Sequence, residues 1–256
     1  MQSGRETRSS LPRRSRSIQP GTTYHLIARF VANEWFIRTD VERRQYLELF
    51  GRAVIASDWR CLAFAIMSSH VHFALTAGFD PLASWLREAH GPFAEWINGR
   101  HERIGAVFVR GPKTIGVRLD GLPQLVGYIH RNPVRAGVVE RARESTWTSH
   151  RAYLEPERAP AWLDVHRGLE LMGFTEPRAL DTWVDATRIE RAELDAVRLE
   201  PVKRGGRPRT ANAAEVGGLV RLEPVNRRAR PWMNDRARGS LSTLAVGASI
   251  DIGRQR

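Results

Sequence analysis

The sequence predicts an α+β protein built on a ferredoxin-like sheet, with the element order β-α-β-β-α-β and one further helix behind it. Two strongly apolar segments, residues 59–67 and 70–76, follow each other almost without a break and indicate adjacent strands. A segment with helical spacing of its apolar residues precedes this pair, and another follows it. One further strand candidate precedes the first helical segment and another follows the second, which completes the order.

The first half of the predicted fold is a strand, a helix and a second strand. Residues 24–31 are mostly apolar and aromatic and predict the first strand. Asp40 is predicted to cap a helix that runs to about Ser57, because its carboxylate can accept unpaired backbone N–H groups of the first turn. Residues 59–67 form the second strand, and two serines then break the chain before the third.

The third strand, residues 70–76, carries two histidines. Side chains alternate across a strand, so His70 and His72 share one face and Val71 takes the other. The apolar set is expected to face the core and the histidine set the opposite side. These two sets are Val71, Phe73 and Leu75 on the core face, and His70, His72 and Ala74 on the opposite face.

The second helix is expected to begin at Asp80 and Pro81 and to reach about Asn98. Pro92 is expected to kink or divide it, because proline removes a backbone donor and clashes with the preceding turn. The fourth strand is expected between residues 106 and 117.

The helix behind the sheet, residues 122–131, presents a tyrosine and an asparagine. Tyr128 and Asn132 are four residues apart, so both side chains project from one helix face. Because Asn132 precedes Pro133, and a residue before proline is disfavoured in the helical region, the helix is expected to end there.

The chain divides into four predicted parts. Residues 1–20 are rich in arginine and serine and are expected to form a disordered basic arm. Residues 21–154 hold the domain just described, and residues 155–199 have helical spacing and predict a small helical appendage. Residues 200–256 are rich in glycine, proline and arginine and are expected to be a basic, mostly disordered tail.

The overall composition favours a polyanionic partner. The formal net charge is +12, the pI is about 11.1, and the 42% of hydrophobic residues is enough for a substantial core. The single cysteine, Cys61, excludes an intrachain disulfide and a cysteine-rich zinc site. The sequence has neither an apolar run of membrane-spanning length nor the apolar segment of a secretory signal, so we expect a cytoplasmic protein without membrane contact.

The polar residues of the third strand and the last helix suggest phosphodiester chemistry. Two imidazoles on His70 and His72 and the amide oxygen of Asn132 could hold one divalent cation with open positions for a phosphate. Such an ion screens charge in the transition state of phosphoryl transfer. The hydroxyl of Tyr128 beside it could then serve as a nucleophile.

Each of these signals has an ordinary structural explanation when it is taken alone. A histidine pair on a strand is often part of a solvated sheet face, and a tyrosine is usually an amphipathic core residue. The combination is more informative, because the histidine pair and the helix with Tyr128 and Asn132 occur together in a basic α/β chain.

Two motifs carry a resemblance to a known family. The stretch MSSHVH at residues 67–72, followed by YIHRNPVRAG at residues 128–137, resembles the single-tyrosine HUH transposases, in the branch of the REP-associated tyrosine transposases. The stretch WTSHRAY at residues 147–153 is similar to the segment that closes that domain. The two serines before His70 stand where the family usually has Pro-Asn.

The resemblance implies that the chain cleaves single-stranded or hairpin DNA and joins a second strand to it, through a 5′-phosphotyrosine intermediate. Transferred by position, Tyr128 is the nucleophile, and His70, His72 and Asn132 are metal ligands for Mg²⁺ or Mn²⁺. It leaves open whether the protein is a monomer or a homodimer. Four basic residues near these motifs are candidate DNA phosphate contacts, each of which could equally be plain surface charge: Arg110, Lys113, Arg131 and Arg135.

Three other interpretations stay open at this point. One is a rolling-circle replication initiator or relaxase, although the chain offers a single candidate tyrosine and no helicase motif. Another is a domesticated sequence-specific DNA-binding protein that no longer catalyses. The third is an RNA-binding module. The predicted central strands lack the pair of aromatic residues that stacks RNA bases in such modules, which argues against it.

Overall fold

The computed structural model describes residues 18–189 and 191–199, and within them a four-stranded antiparallel sheet forms the centre. The strands are β1 Thr23–Arg29, β2 Arg60–Ile66, β3 His70–Thr76 and β4 Lys113–Val117. Their spatial order is β2-β3-β1-β4, which together with the sequence order is the arrangement of the ferredoxin-like fold. The predicted fold class is confirmed. Most of the predicted basic arm and the tail at residues 200–256 lie outside the described residues.

Two helices cover one face of the sheet. Helix α1 spans Asp40–Ala56 and helix α2 spans Leu82–Arg100. The core between them and the sheet is aromatic: the rings of Phe50 and Phe73 stack with their centroids 3.8 Å apart. Helix α2 continues through Pro92, so the chain is not divided there.

The N-cap of α1 is Thr39, and the prediction of Asp40 is wrong by one residue. The Thr39 side chain accepts a hydrogen bond from the backbone N–H of Glu42, and the Glu42 carboxylate accepts one from the backbone N–H of Thr39. This reciprocal pair satisfies two donors that the first turn leaves unpaired. Asp40 instead occupies the first helical position, where its negative charge favours the helix dipole.

The opposite face of the sheet is also covered. Helix α3, Leu122–His130, packs there, and His72 is only 3% exposed as a result. The predicted alternation along β3 holds, with Val71, Phe73 and Leu75 fully buried on the α1–α2 side. The histidine face of the sheet therefore forms an interface with α3.

The end of α3 differs from the prediction at Asn132. The helix ends at His130, but Asn132 is helical and begins a short helix α4, Asn132–Arg135. Pro133 has no backbone N–H to donate to the carbonyl of Ile129. The side-chain amide of Asn132 takes that place, since its Nδ2 lies 3.3 Å from the Ile129 carbonyl oxygen and 3.0 Å from that of Tyr128.

Four more helices follow: α5 His150–Leu154, α6 Val165–Met172, α7 Pro177–Ala186 and α8 Arg191–Ala196. A buried polar chain links α7 to the sheet domain. His150 is within hydrogen-bond distance of both Asp181 (2.9 Å) and His130 (3.0 Å), and His130 lies 2.8 Å from the hydroxyl of Ser149. Within the described part of the chain, every helix is too short or too polar to cross a lipid bilayer.

The buried histidines predict acid sensitivity. His90 lies on α2, and its Nε2 is 3.0 Å from the hydroxyl of Tyr46 on α1. Desolvation lowers the pKa of His90 from 6.5 to about 3. Because the folded protein keeps His90 neutral while the unfolded chain protonates it, stability is unaffected above about pH 6.5 and falls as the pH drops from there towards 3. The cost is about 1.4 kcal/mol per pH unit for each such histidine.

We therefore expect the free energy of unfolding, measured with urea, to be lower near pH 5.5 than near pH 7.5. In His90→Gln the difference between the two pH values should shrink by about 1.4 kcal/mol, because one proton uptake is removed. His166→Gln is the control, since this exposed histidine lies on the surface of α6. An equal pH dependence in wild type and His90→Gln would contradict the prediction.

Candidate active site

A cavity of about 310 Å³ lies between the second face of the sheet and helix α3. It contains the predicted histidine pair, the predicted tyrosine and Asn132. Its lining residues come from β1, β3, β4, α3, α4, α8 and the turns beside them. They are His25, Ile27, Arg29, Met67, His70, His72, Lys113, Tyr128, Asn132, Arg135, Ala136, Arg191, Leu194 and Arg198.

The two histidines of β3 stand side by side in this cavity. The ring centroids of His70 and His72 are 4.8 Å apart and the rings meet edge to face. Nδ1 of His70 lies 3.0 Å from the hydroxyl of Ser69. Desolvation, followed by the charges of Arg29 and Arg135, lowers the pKa of His70 to about 4. Burial also places the pKa of His72 well below its usual value. Both imidazoles are thus neutral near pH 7, as metal ligation requires.

A third histidine, His25 on β1, was not singled out from the sequence. Its Nε2 lies 2.8 Å from Nδ1 of His72, and the two rings stack with centroids 5.1 Å apart. Desolvation is the largest cause that lowers the pKa of His25 to about 3, with Arg198 and Lys113 next. The signal available in the sequence was alternation along β1, which puts His25 and Arg29 on the same face of an otherwise apolar strand.

The hydrogen bond between His25 and His72 bears on which nitrogen of His72 could bind a cation. When Nδ1 of His72 donates its proton to His25, Nε2 of His72 keeps its lone pair. This arrangement, in which the second ring nitrogen of a ligating histidine donates to a neighbouring group, is the usual way in which proteins orient such a ligand.

Tyr128 faces the imidazoles from α3. Its ring centroid is 5.8 Å from that of His25 and 6.0 Å from that of His72, and it meets both rings edge-on. The guanidinium carbon of Arg135 lies 4.3 Å from the centre of the Tyr128 ring. A cation stacked on the ring face restricts the orientation of the phenol. The structure therefore brings Tyr128 to the same side of the sheet as His70 and His72.

Asn132 lines the cavity and is 7% exposed. Its Nδ2 is committed to the carbonyls of α3, so Oδ1 is the atom of this amide that could ligate a cation. Among the described residues, no group of three His, Cys, Asp or Glu side chains is placed to hold a metal ion. A cation here would depend on His70, His72 and the Asn132 oxygen, which are neutral nitrogen and oxygen donors of the kind that divalent ions bind.

The described part of the cavity wall is positively charged. Among the described residues, its ionisable side chains besides the histidines are Arg29, Lys113, Arg135, Arg191 and Arg198, and none is a carboxylate. Such a wall attracts phosphate and repels a bare cation, so a divalent ion would bind more favourably together with a phosphate that neutralises part of this charge.

The four predicted DNA contacts fall into two pairs. Lys113 and Arg135 line the cavity. Arg110 lies on the surface, outside the cavity lining. Arg131 is directed to α7, where its Nη1 donates to the carbonyls of Val184 and Asp185 at 2.9 and 3.1 Å, so it holds the helical appendage. Sequence reasoning did not separate these pairs, because Arg131 and Arg135 flank the same motif.

The solved structures that are similar to this chain include the following three. One is a REP-associated tyrosine transposase bound to a REP hairpin, with a TM-score of 0.48 and 15% identity over 60% of this chain and 93% of that one. The second is described as a transposase of Deinococcus radiodurans, with a TM-score of 0.34 and 15% identity over 47% of this chain and 97% of that one. The third is a bacterial tRNA(His) guanylyltransferase-like protein in complex with GTP, with a TM-score of 0.31 and 9% identity over 47% of this chain and 69% of that one. No protein-family model and no curated protein matched the chain.

Proposed function

We propose that this protein is a metal-dependent transposase that cleaves and rejoins single-stranded DNA through a covalent bond to Tyr128. The observation that supports this most is the grouping of Tyr128, His70, His72 and Asn132 around one cavity whose described wall is basic. These residues come from strand β3 and from the consecutive helices α3 and α4, which are distant from β3 in sequence. The motif resemblance noted above points to the same chemistry.

In the proposed reaction the Tyr128 oxygen attacks a backbone phosphorus atom. A bond forms between that oxygen and phosphorus, and the bond from phosphorus to the 3′ oxygen of the preceding nucleotide breaks. The phenol proton passes to water and the leaving oxygen takes a proton from water, so the proton count is unchanged and the products are a 5′-phosphotyrosine and a free 3′-hydroxyl. Attack by the 3′-hydroxyl of another strand reverses these steps and joins that strand.

The side chains around Tyr128 have separate tasks in this proposal. Arg135, stacked on the phenol ring, fixes its orientation, and basic residues of the wall hold the oxygens of the reacting phosphate. His70, His72 and Asn132 would hold Mg²⁺ or Mn²⁺, which supplies Lewis-acid polarisation of the phosphate. His25 orients His72 through their hydrogen bond.

Single-stranded DNA is the proposed substrate because its backbone can bend into a confined basic site. A binding protein without catalysis would use the same basic wall but would leave Tyr128 unmodified. A replication initiator or relaxase would form the same covalent bond, so the substrate distinguishes it from a transposase. The choice between a monomer and a homodimer stays open, and location in the cytoplasm stays a prediction.

The test is to incubate the protein with end-labelled single-stranded hairpin DNA and Mn²⁺, and to separate the products on a denaturing gel. We expect a labelled protein–DNA adduct that survives heat and detergent and disappears after protease digestion. Addition of a chelator before the DNA should prevent it. The matched control is the same sequence as a perfect duplex. DNA retardation on a native gel without any adduct would favour the binding protein and overturn the proposed function.

A further inference from the structure

A short C-terminal segment reaches the candidate active site from outside the predicted domain. This strap, residues 191–199, consists of α8 and the three residues after it. The backbone N–H of Leu199 donates to the Gly116 carbonyl at 2.9 Å, and that of Arg118 donates to the Val197 carbonyl at 3.0 Å. The strap is thus hydrogen-bonded to the chain in and just after β4.

Close packing fixes the strap as well. Leu194 and Val197 are buried, and a Cβ atom built on Gly121 would lie 2.3 Å from the Cβ of Val197. A side chain at position 121 would therefore displace the strap. Together with the backbone bonds, this packing makes the strap a part of the cavity wall that is fixed with respect to α3.

The strap contributes two guanidinium groups to the cavity, from Arg191 and Arg198. Arg191 is exposed on α8. Arg198 is ion-paired with Asp195, yet its Nε is buried and has no hydrogen-bond partner within the described part of the chain. A buried N–H donor without a partner is costly, so a ligand oxygen that accepted from it would be favoured.

The cations of the wall come from two parts of the structure. Arg29 is paired with His70 in the β1–β3 register, and Arg135 stacks on the ring of Tyr128. Arg191 and Arg198 belong to the strap, which is hydrogen-bonded to β4, the strand that begins at Lys113.

We infer that the strap supplies a second phosphate subsite, in which Arg191 and Arg198 bind a backbone phosphate of the DNA strand next to the one that Tyr128 attacks. This rests on the proposed function, since it assumes a single DNA strand in the cavity. A strand presents one negative charge per nucleotide, so two groups of cations in one cavity suit two phosphates of one strand. The strap thereby makes a polynucleotide, and not a mononucleotide, the preferred ligand.

The test measures binding without cleavage, in the Tyr128→Phe background, by fluorescence anisotropy. The probe is a labelled oligothymidylate of about twelve nucleotides, within the range of single-strand site sizes. Arg191→Gln/Arg198→Gln should weaken binding about tenfold or more near physiological salt. It should also reduce the slope of log K against log salt concentration by about 0.7, which corresponds to the loss of one phosphate contact on a single strand.

The control is Arg178→Gln/Arg188→Gln, which removes the same charge from two exposed arginines of the appendage outside the cavity. It should leave the slope close to that of the parent protein. The double strap variant also removes the ion pair between Arg198 and Asp195, which could loosen the strap. Arg191→Gln alone keeps this ion pair and therefore tests the subsite with the strap intact. It should reduce the slope in the same direction, by at most about 0.7.

Equal affinity and salt slope in the strap variants and the control would overturn the subsite, and so would tighter binding in the strap variants. Because no adduct is needed for this measurement, it separates the subsite from the proposed function. Weakened binding in the strap variants, combined with no adduct from wild type, would keep the subsite and overturn the catalytic proposal.

Discussion

Tyr128→Phe is expected to abolish the covalent protein–DNA adduct, with a loss of more than about a thousandfold in the rate of its formation. The substitution removes only the hydroxyl that is proposed to attack phosphorus, and loss of a nucleophile is among the most severe changes in covalent catalysis. The phenyl ring keeps the contact with Arg135 and the edge-on contacts with His25 and His72. The measurement is the labelled-adduct assay with Mn²⁺, with DNA affinity measured in parallel.

The matched control for this experiment is Tyr24→Phe. Tyr24 is as buried as Tyr128, at 8% exposure, but its hydroxyl accepts a hydrogen bond from the backbone of Gln19 and is not part of the cavity. This variant loses the same atom and should form the adduct. An adduct that persists in Tyr128→Phe would eliminate this nucleophile. If the Tyr128 hydroxyl is the nucleophile, Tyr128→Phe should bind DNA as wild type does and form no adduct.

Local sequence pattern was sufficient for the parts of the site that depend on a single element. The alternation of β3 placed His70 and His72 on one face, and the observed strand has the predicted bounds, His70–Thr76. Helical spacing placed Tyr128 and Asn132 on the same side of the chain, and both line the cavity, with Asn132 at the start of α4. These relations follow from the geometry of one strand and one helix, so they did not require knowledge of the packing.

The parts that the sequence did not predict depend on contacts between distant segments. His25 joins the site because β1 pairs with β3 in a register that places Ile27 opposite His72. Arg191 and Arg198 join it because the strap packs on Gly121 and bonds to Gly116. Neither the register nor the course of the strap is encoded in a local periodicity.

Asn132 shows how a local rule was overridden. The residue before a proline is disfavoured in the helical region, yet Asn132 is helical here. Its own amide replaces the hydrogen bond that Pro133 cannot make to Ile129, which offsets part of the cost. The consequence for the site is that Asn132 keeps its place one turn beyond Tyr128, with Oδ1 as the only atom of the amide suited to a cation.

His70→Ala tests the metal half of the proposal more cleanly than a change at His72. His72 is 3% exposed and hydrogen-bonded to His25, so its removal would also disturb the sheet interface. His70 is only partly buried, and the hydroxyl of Ser69 beside it can turn to water. We therefore expect His70→Ala to fold and to keep most of its DNA affinity, because the basic side chains of the wall are unchanged.

The adduct, by contrast, should fall by more than about a hundredfold in His70→Ala, since a bound divalent ion contributes several kcal/mol to the stabilisation of charge in phosphoryl transfer. Titration with Mn²⁺ in the presence of DNA, followed by a readout of bound metal such as the paramagnetic signal of free Mn²⁺, should show weaker binding in the variant. His166→Ala, on the exposed surface of α6, is the control and should match wild type in both measurements. Equal losses of adduct and DNA affinity in His70→Ala would instead indicate that this histidine supports the fold, and unchanged Mn²⁺ binding would remove it from the metal site.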